Sequence, residues 1–513
     1  FGICTMMVTL PGLPMLGHGQ VEGLAEKYGM EYRRAYWDET PDDYLVERHE
    51  REIFPLLHRR YLFAEVENFL LYDFGALEGY VNEDVFAYSN RAGGERALVL
   101  YHNRFATARG WVKTSVAYAL KTESGDERPL VRKTLGEGLD LHDAPNYFCI
   151  FRDHITGLEY IRHSQELWDK GLYVELGAYK CQVFADWREV EDNEWHQYAH
   201  LTAYLNGRGV PSIEEALREV FLQPVHYPFK ELVNAGAFQW LMDHRLVEPA
   251  GELAPDVMAD FEGRVQRLVR EIRQFAADSS EQGPAPTAVD VADLVQEIRR
   301  KLEACLQLPI LASRFPLAGV NEYRVAVEFL QAHVDDDPSA WGSLLAWLFT
   351  HDLGKVIAED DYEQQSRSWL DEWLLGKLVA GTLQDMGLDE RAAWWAVGLI
   401  KILISHRGWH ELAAPEEQRA YHILLSWLQD SEVQQFLQVN RYRGVLWFNH
   451  ESFDQLLKWV LTVAAVEISA DPELSPDQVA HEILACYEIA QKLQEAEAAS
   501  EYQVVELMEA SRG

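Results

Sequence analysis

A histidine and an aspartate are adjacent in the C-terminal half of the chain, at His351 and Asp352. Imidazole nitrogens and carboxylate oxygens bind divalent metals, and a water bound to such a metal loses its proton near neutral pH. The residues of the same types that could complete a metal site are His333 upstream and His406, His410 and Asp430 downstream. The flanking sequence has helical periodicity, so the pattern permits a metal site between helices.

Residues 344–355 (LLAWLFTHDLGK) resemble the LLHDxGK signature of HD-type phosphohydrolases. This resemblance implies a metal-dependent phosphohydrolase in the C-terminal helical domain. The same residues also have a structural interpretation, because His333 lies in a polar segment and His351 lies near a helix C-terminus, where a cation is favoured. We predict the structural alternative, without a metal ligand set. His351 should pair with a local carbonyl and Asp352 with Lys355 or solvent, with the two side chains pointing apart.

A second motif lies near the N-terminus, at residues 9–23 (TLPGLPMLGHGQVEG). It resembles the lPGiPxxyyGqExG stretch of the α-amylase family, glycoside hydrolase family 13, which closes the eighth strand of a (β/α)8 barrel. Gly17 and His18 replace the family's paired aromatic residues. Val21 occupies the family's Glu position, and Glu22 follows one residue late.

Further segments follow in the order of that family. Residues 56–61 (LLHRRY) end a predicted helix that is similar to the last barrel helix. Residues 86–91 (FAYSNR) and 97–103 (ALVLYHN) resemble the opening of the β-sandwich after the barrel, and residues 176–184 (LGAYKCQVF) resemble its closing strand. The resemblance covers about residues 1–190 and implies the C-terminal part of a glycoside hydrolase that acts on α-glucans.

The catalytic groups of this family are carboxylates, one attacking the anomeric carbon and one protonating the leaving oxygen. The family motifs that carry them, GxRxDxxxx, ExW and FxxNHD, do not occur in Phe1–Gly513. Residues 447–451 (WFNHE) resemble the FxxNHD motif only superficially. They follow the predicted β-sandwich in the sequence, whereas the family motif precedes it. The resemblance therefore implies no catalytic residue here and a fragment that is inactive alone. It implies no cofactor beyond a possible structural calcium in the barrel.

In a (β/α)8 barrel the active site forms from loops at the C-terminal ends of the strands. The polar and aromatic residues that follow the first motif are the substrate-binding candidates that this resemblance implies: His18, Gln20, Glu22, Arg33, Arg34, Trp37 and Asp38. Sugar sites combine an aromatic face with forked hydrogen bonds, and Trp37 between Arg34 and Asp38 suits this chemistry. The alternative is a surface ion-pair network beside a Trp37 packed in the core.

The periodicity along the chain predicts the elements that would position these residues. Residues 6–10 are predicted to be a strand and residues 42–72 to be helical. Period-two runs occur at 85–88, 97–103, 147–151, 158–161, 172–176 and 180–184, with a hairpin at 92–95. After residue 187 the pattern is helical, interrupted by the linker-like SSEQGPAPT at 279–287.

We therefore expect an α+β multidomain protein. Residues 1–78 would be a C-terminal remnant of a (β/α)8 barrel and residues 79–190 an antiparallel β-sandwich. Residues 191–278 would be a helical segment, residues 279–290 a linker and residues 291–513 a large all-helical domain. No family is recognised for residues 191–513, and a non-catalytic module that binds another protein is a third possible function.

The net charge excludes several classes of partner. The chain has 46 Lys and Arg against 83 Asp and Glu, a formal net charge of −37, which repels nucleic acid and anionic membranes. Five widely spaced cysteines favour a reducing compartment, and no apolar run is long enough to cross a membrane. We expect a cytoplasmic protein whose chain begins inside a longer one, with an α-glucan or oligosaccharide as the parent enzyme's ligand.

Overall fold

A computed structural model describes residues 1–26, 36–120, 128–193, 196–279, 289–317, 320–334, 337–357, 359–412 and 414–512. The chain divides into two compact units, Phe1–Val220 and Phe221–Gly513. The first unit is built on an antiparallel sheet and the second is mainly helical. The predicted succession of a β region and a large helical region is therefore confirmed.

The helices of the first unit are α1 (Gly2–Thr9), α2 (Asp43–Glu52), α3 (Phe54–His58), α4 (Arg60–Phe63), α5 (Leu135–Leu139), α6 (Ser164–Asp169), α7 (Gln197–Leu205) and α8 (Ile213–Phe221). Its strands are β1 (Leu70–Ala76), β2 (Val85–Ala92), β3 (Glu95–His102), β4 (Ala108–Ser115), β5 (Tyr118–Ala119), β6 (Leu130–Val131), β7 (Tyr147–Asp153), β8 (Glu159–His163), β9 (Leu172–Leu176) and β10 (Cys181–Glu191). Eight strands form one antiparallel sheet in the order β8-β7-β10-β3-β2-β1-β4-β9, and β5 pairs with β6.

One face of the sheet buries a core, because alternate residues of its strands are apolar and point to the same face. Val85 and Ala87 of β2 and Leu98 and Leu100 of β3 belong to one buried cluster with side chains from the other strands. The predicted hairpin is confirmed, since Ala92 pairs with Glu95 and leaves a two-residue turn. The turn begins at Gly93, whose φ of 59° suits glycine.

The opposite face of the sheet is covered by helices α1, α3 and α4. Val8, Ile53 and Leu56 pack there with Tyr88 and Val99 in a separate buried cluster. Residues 6–10, predicted to be a strand, instead continue helix α1 and its C-cap, so that prediction is wrong. A short apolar run without clear periodicity fits a buried helix as well as a strand, and packing against the sheet decides the outcome here. A barrel remnant in residues 1–78 is not confirmed.

The helices of the second unit are α9 (Gln223–Leu232), α10 (Ala235–Asp243), α11 (Pro255–Ser279), α12 (Val291–Leu306), α13 (Leu311–Arg314), α14 (Asn321–Val334), α15 (Pro338–Leu348), α16 (Tyr362–Glu372), α17 (Leu375–Asp385), α18 (Glu390–Ser405), α19 (Arg419–Gln429), α20 (Ser431–Phe436), α21 (His450–Ala470), α22 (Pro476–Ala499) and α23 (Val504–Ala510). A small hairpin joins β11 (Asn440–Tyr442) to β12 (Val445–Trp447). Most of the predicted linker, residues 280–288, lies outside the described residues.

The core of the second unit contains large aromatic side chains, among them Trp341, Trp347, Trp369 and Trp427, all less than 2% exposed. They lie on amphipathic or wholly apolar helices, whose packing supplies most helical stability. Within the described ranges, none of the helices combines the length and the apolar character needed to cross a bilayer.

Candidate functional site

The most unusual feature of the helical unit is a group of ionisable side chains in its interior. They come from helix α12 (Glu297 and Lys301), the turn after α15 (His351 and Asp352), the following 3-10 turn (Lys355), the turn after α18 (Arg407) and helix α21 (Glu467). We call these seven residues the charge cluster. Buried charges are stable only when they are paired or hydrogen-bonded, so each contact matters.

The imidazole of His351 is oriented by the end of helix α15. Its Nδ1 lies 3.1 Å from the carbonyl oxygen of Trp347 and 3.0 Å from that of Leu348, so Nδ1 carries the proton and donates it to the backbone. The ring also stacks on Trp347 with centroids 4.1 Å apart. Nε2 is therefore left with its lone pair, and Lys301 Nζ lies 3.0 Å from it as the donor.

Asp352 is the most heavily paired member of the charge cluster. Its Oδ2 accepts a hydrogen bond from Lys301 and lies 2.9 Å from His351 Nε2, while its Oδ1 lies 3.0 Å from Lys355 Nζ. Arg407 Nη1 approaches Oδ1 at 4.0 Å. The Asp352 side chain is 0% exposed, so its charge is balanced by these cations and not by water.

Two glutamates complete the charge cluster. Glu297 Oε1 lies 2.9 Å from Lys301 Nζ and accepts a hydrogen bond from Lys355 at 2.7 Å. Glu467 contacts Arg407 Nε and is 11% exposed at its side chain. Three cations thus face three carboxylates in a space largely closed to solvent.

Burial and charge shift the ionisation of these groups in different directions. Burial lowers the pKa of His351 to about 4, although Asp352 opposes the change. Burial raises the pKa of Glu467 to about 7, because Arg407 offsets only part of the lost hydration. For Asp352, burial acts upward, but the neighbouring ammonium groups of Lys301 and Lys355 prevail and hold its pKa well below the usual range. At neutral pH the imidazole is therefore neutral beside an ionised Asp352.

The sequence-based expectations for His351 and Asp352 are confirmed in part. His351 does pair with local carbonyls and Asp352 does pair with Lys355. The prediction that the two side chains point apart is wrong, because Lys301 draws the His351 nitrogen and the Asp352 oxygen towards the same ammonium group.

The other candidate ligands lie elsewhere. His406 Nε2 lies 3.1 Å from Asp430 Oδ2, and Arg367 contacts the same carboxylate. His410 Nε2 lies 3.8 Å from Glu411, and the side chain of His333 is outside the described residues. In the described part of the chain, no three side chains of His, Cys, Asp or Glu are arranged to hold a metal ion among themselves.

The N-terminal candidates lie on a loop of the first unit. His18, Gln20, Trp37 and Asp38 are exposed, whereas Glu22 is half-buried. Arg33 and Arg34 lie outside the described residues. Gln20 Oε1 accepts a hydrogen bond from the backbone of Gly17 at 3.0 Å, which closes a local turn and does not reach across the loop.

Two carboxylates that sequence reasoning missed give this loop its shape. Glu26 accepts hydrogen bonds from the backbone N–H groups of Tyr36 and Trp37, the latter at 2.8 Å. Glu39 accepts them from Ala25 and Glu26, at 2.8 and 2.9 Å. Trp37 is 60% exposed, so the alternative that placed it in the core is wrong.

Sequence reasoning also missed most of the charge cluster. A signal was present in two places: Lys301 interrupts the apolar face of α12, and Glu467 is the single acid in the apolar run 459–468. A lone charge in such a setting requires a buried partner. The identity of the partner comes only from the tertiary fold.

Comparison with protein-family models, curated proteins and solved structures gave no match. Function is therefore inferred from the residues of this chain and their arrangement.

Proposed function

We propose that the first unit belongs to an α-glucan-acting protein of the α-amylase family, with residues 1–63 contributing the end of a catalytic barrel and the sheet serving as the β-sandwich that follows it. The observation that carries this proposal is the placement of two family-like segments on adjacent strands. The opening segment forms the β2–β3 hairpin, and the closing segment leads into β10, which pairs with β3 through Val183 and Val99.

The loop after the first motif supports a role in sugar binding. Glu26 fixes the backbone at Tyr36 and Trp37, and both rings are largely exposed, at 68% and 60%. An exposed indole face is suited to the C–H side of a pyranose ring, and nearby polar groups can bind its hydroxyls. We assign the polar role to His18, Gln20, Glu22 and Asp38.

Binding of maltoheptaose to the purified chain tests this proposal. We expect saturable binding with a Kd of about 1 mM by isothermal titration calorimetry. Trp37→Ala should weaken it about tenfold, the factor that corresponds to about 1.4 kcal/mol. Trp394→Ala is the matched control, since Trp394 is 47% exposed but lies on the helical unit. Equal losses in both variants, or no binding at all, would contradict the assignment.

Hydrolysis by this chain is not part of the proposal, because it lacks the family's three carboxylate motifs. We expect no turnover of starch, maltooligosaccharides or a nitrophenyl α-glucoside. If the chain does hydrolyse one of these substrates, and a single carboxylate substitution within residues 1–513 abolishes the activity, this part of the proposal is refuted.

The HD-type phosphohydrolase alternative gains less support. His351 and Asp352 do adjoin, but the groups that would bind a metal already accept hydrogen bonds from Lys301.

The five cysteines are unpaired, as a reducing compartment requires, and we propose a cytoplasmic location on that ground.

A further inference from the structure

A tryptophan on the sheet of the first unit lies outside the sites described above. Strands β1, β4 and β9 form one end of the large sheet. Gly75, Trp111 and Tyr173 lie side by side across them, because Trp111 pairs with Gly75 on one side and with Tyr173 on the other. Phe74 and Val112, which are chain neighbours of Gly75 and Trp111, belong to the buried core. Since alternate residues of a strand point to opposite faces, the Trp111 indole lies on the outer face.

Gly75 has no side chain, and a cavity lies beside the indole at this point. Its volume is about 420 Å³, and its lining includes Asp73, Gly75, Trp111, Lys113 and Lys170. Cavities that bind small molecules usually measure about 300–1,000 Å³. We infer that this cavity, here called the Trp111 cavity, binds one hexopyranose unit of a neutral oligosaccharide, with the indole against the C–H side of the ring. The inference does not depend on the sugar-binding role proposed for Trp37.

The indole is held in place from the side of strand β9. Tyr173 packs against Trp111 with ring centroids 5.4 Å apart and an interplanar angle of 58°. The Tyr173 hydroxyl donates a hydrogen bond to Glu175 at 2.7 Å, and the same carboxylate lies 3.4 Å from Arg109. Tyr173 therefore supports Trp111 on one side, while the cavity opens on the Gly75 side. An aromatic platform that is already held in place loses little conformational entropy when it binds a ligand.

The polar side chains of the Trp111 cavity suit the hydroxyl groups of a sugar. The Asp73 carboxylate accepts hydrogen bonds and the ammonium groups of Lys113 and Lys170 donate them, so together they can bind hydroxyls, which do both. Two of these charges already have partners, since Asp73 lies 3.9 Å from Arg132 and Lys170 lies 3.4 Å from Glu166. This nearly balanced charge favours a neutral ligand with many hydroxyls over a strongly anionic one.

Fluorine NMR of the full chain labelled with fluorotryptophan tests the inference. The Trp111 signal is identified by its loss in Trp111→Phe, and the Trp37 signal by its loss in Trp37→Phe. Maltoheptaose should shift the Trp111 signal saturably with a Kd of about 10 mM, because one open indole face contacts a single sugar unit. Glycerol at the same hydroxyl concentration should not shift it. A Trp111 signal that maltoheptaose leaves in place, or that glycerol shifts equally, would overturn the inference.

The two signals separate this inference from the proposed function. A shift of the Trp37 signal alone would overturn the inference and leave the proposed function standing. A shift of the Trp111 signal alone would support the inference and contradict the sugar-binding role of the loop that carries Trp37.

Gly75→Val fills the Trp111 cavity without removing a binding group. A methyl group at Gly75 has the Trp111 backbone oxygen, at 3.8 Å, as its nearest contact, and valine is favoured in strands, so the variant should fold. We expect its Kd for maltoheptaose at the Trp111 signal to rise at least about tenfold. Leu71→Val is the matched control, because Leu71 is a partly exposed residue of the same strand. An unchanged Kd in a folded Gly75→Val chain would overturn the inference.

Asp73→Ala provides the same test should Gly75→Val fail to fold. The Asp73 side chain is 34% exposed, so its removal disturbs the sheet little. We expect binding at the Trp111 signal to weaken about fivefold, as the loss of one hydrogen bond implies. A Kd that stays the same in Asp73→Ala would refute the inference.

Discussion

Glu467→Gln is expected to stabilise the protein above neutral pH, although it removes the partner of Arg407. The side chain of Glu467 lies in the helical interior, and burial raises its pKa to about 7 from an ordinary value of 4.5. The folded chain therefore holds a proton that the unfolded chain releases. The stabilisation that this proton gives to the folded chain is complete below about pH 4.5 and is lost as the pH rises through about 7.

The size of the effect follows from those two pKa values. One pKa unit corresponds to about 1.4 kcal/mol, so the free energy of unfolding of the native chain falls by about 3 kcal/mol in total, relative to that of the Gln variant, as the pH rises past both values. About 2 kcal/mol of this loss falls between pH 5.5 and pH 8. That window avoids the region near the sequence pI of 4.8, where solubility is lowest.

Urea unfolding followed by tryptophan fluorescence at several pH values measures this difference. The free energy of unfolding of Glu467→Gln minus that of the native chain should rise by about 2 kcal/mol across the window. In an Arg407→Gln background the rise should extend to higher pH, since Arg407 opposes the upward pKa shift of Glu467. A flat difference, or a Gln variant that becomes less stable as the pH rises, would show that the ion pair outweighs burial and would refute the reasoning.

Three further substitutions test local interactions, one in the first unit and two in the second. Glu159→Gln in the first unit should lower the free energy of unfolding by about 1–3 kcal/mol at neutral pH, because the charged hydrogen bonds from Arg188 to this carboxylate, whose pKa is lowered to about 2, are lost. Chemical denaturation at pH 7 and pH 3 should show that the difference between variant and native chain shrinks in acid. A difference of the same size at both pH values would contradict the prediction. Gly354→Ala should lower the free energy of unfolding by about 1–3 kcal/mol, because the added methyl group would collide with the Tyr362 carbonyl oxygen. Gly381→Ala, where the methyl group meets nothing within 4 Å, should instead stabilise helix α17 by about 0.5–1 kcal/mol, and equal effects at the two sites would refute the argument.

The period-two pattern predicted much of the sheet correctly, and its failures have physical causes. All six predicted runs fall on strands, but β1 and β4 were missed. Strand β4 does alternate, with Ala108 and Val112 buried and Arg109 exposed, although glycine and tryptophan weaken the pattern. Strand β1 was hidden because its first residues, Leu70 to Tyr72, continue an apolar run that reads equally well as the end of a helix.

The candidate site was predictable only where its residues adjoin in the sequence. His351 and Asp352 could be found because a histidine–aspartate pair after an apolar helix is visible in one window. Lys301 lies 50 residues before His351, and Glu467 lies on a helix more than 100 residues after it. Long-range pairs of this kind are set by how helices pack, and local periodicity carries no information about them.

The charge cluster is better explained as a source of structural specificity than of stability. Buried ion pairs gain little over well-packed apolar residues, because the loss of hydration offsets most of their attraction. The same balance holds at Glu467, where burial raises the pKa despite the contact with Arg407. Apolar helices tolerate several ways of packing. A buried charge tolerates only the arrangement in which it meets its partner, so the link from Lys301 on α12 to Asp352 after α15 favours one register of the two helices.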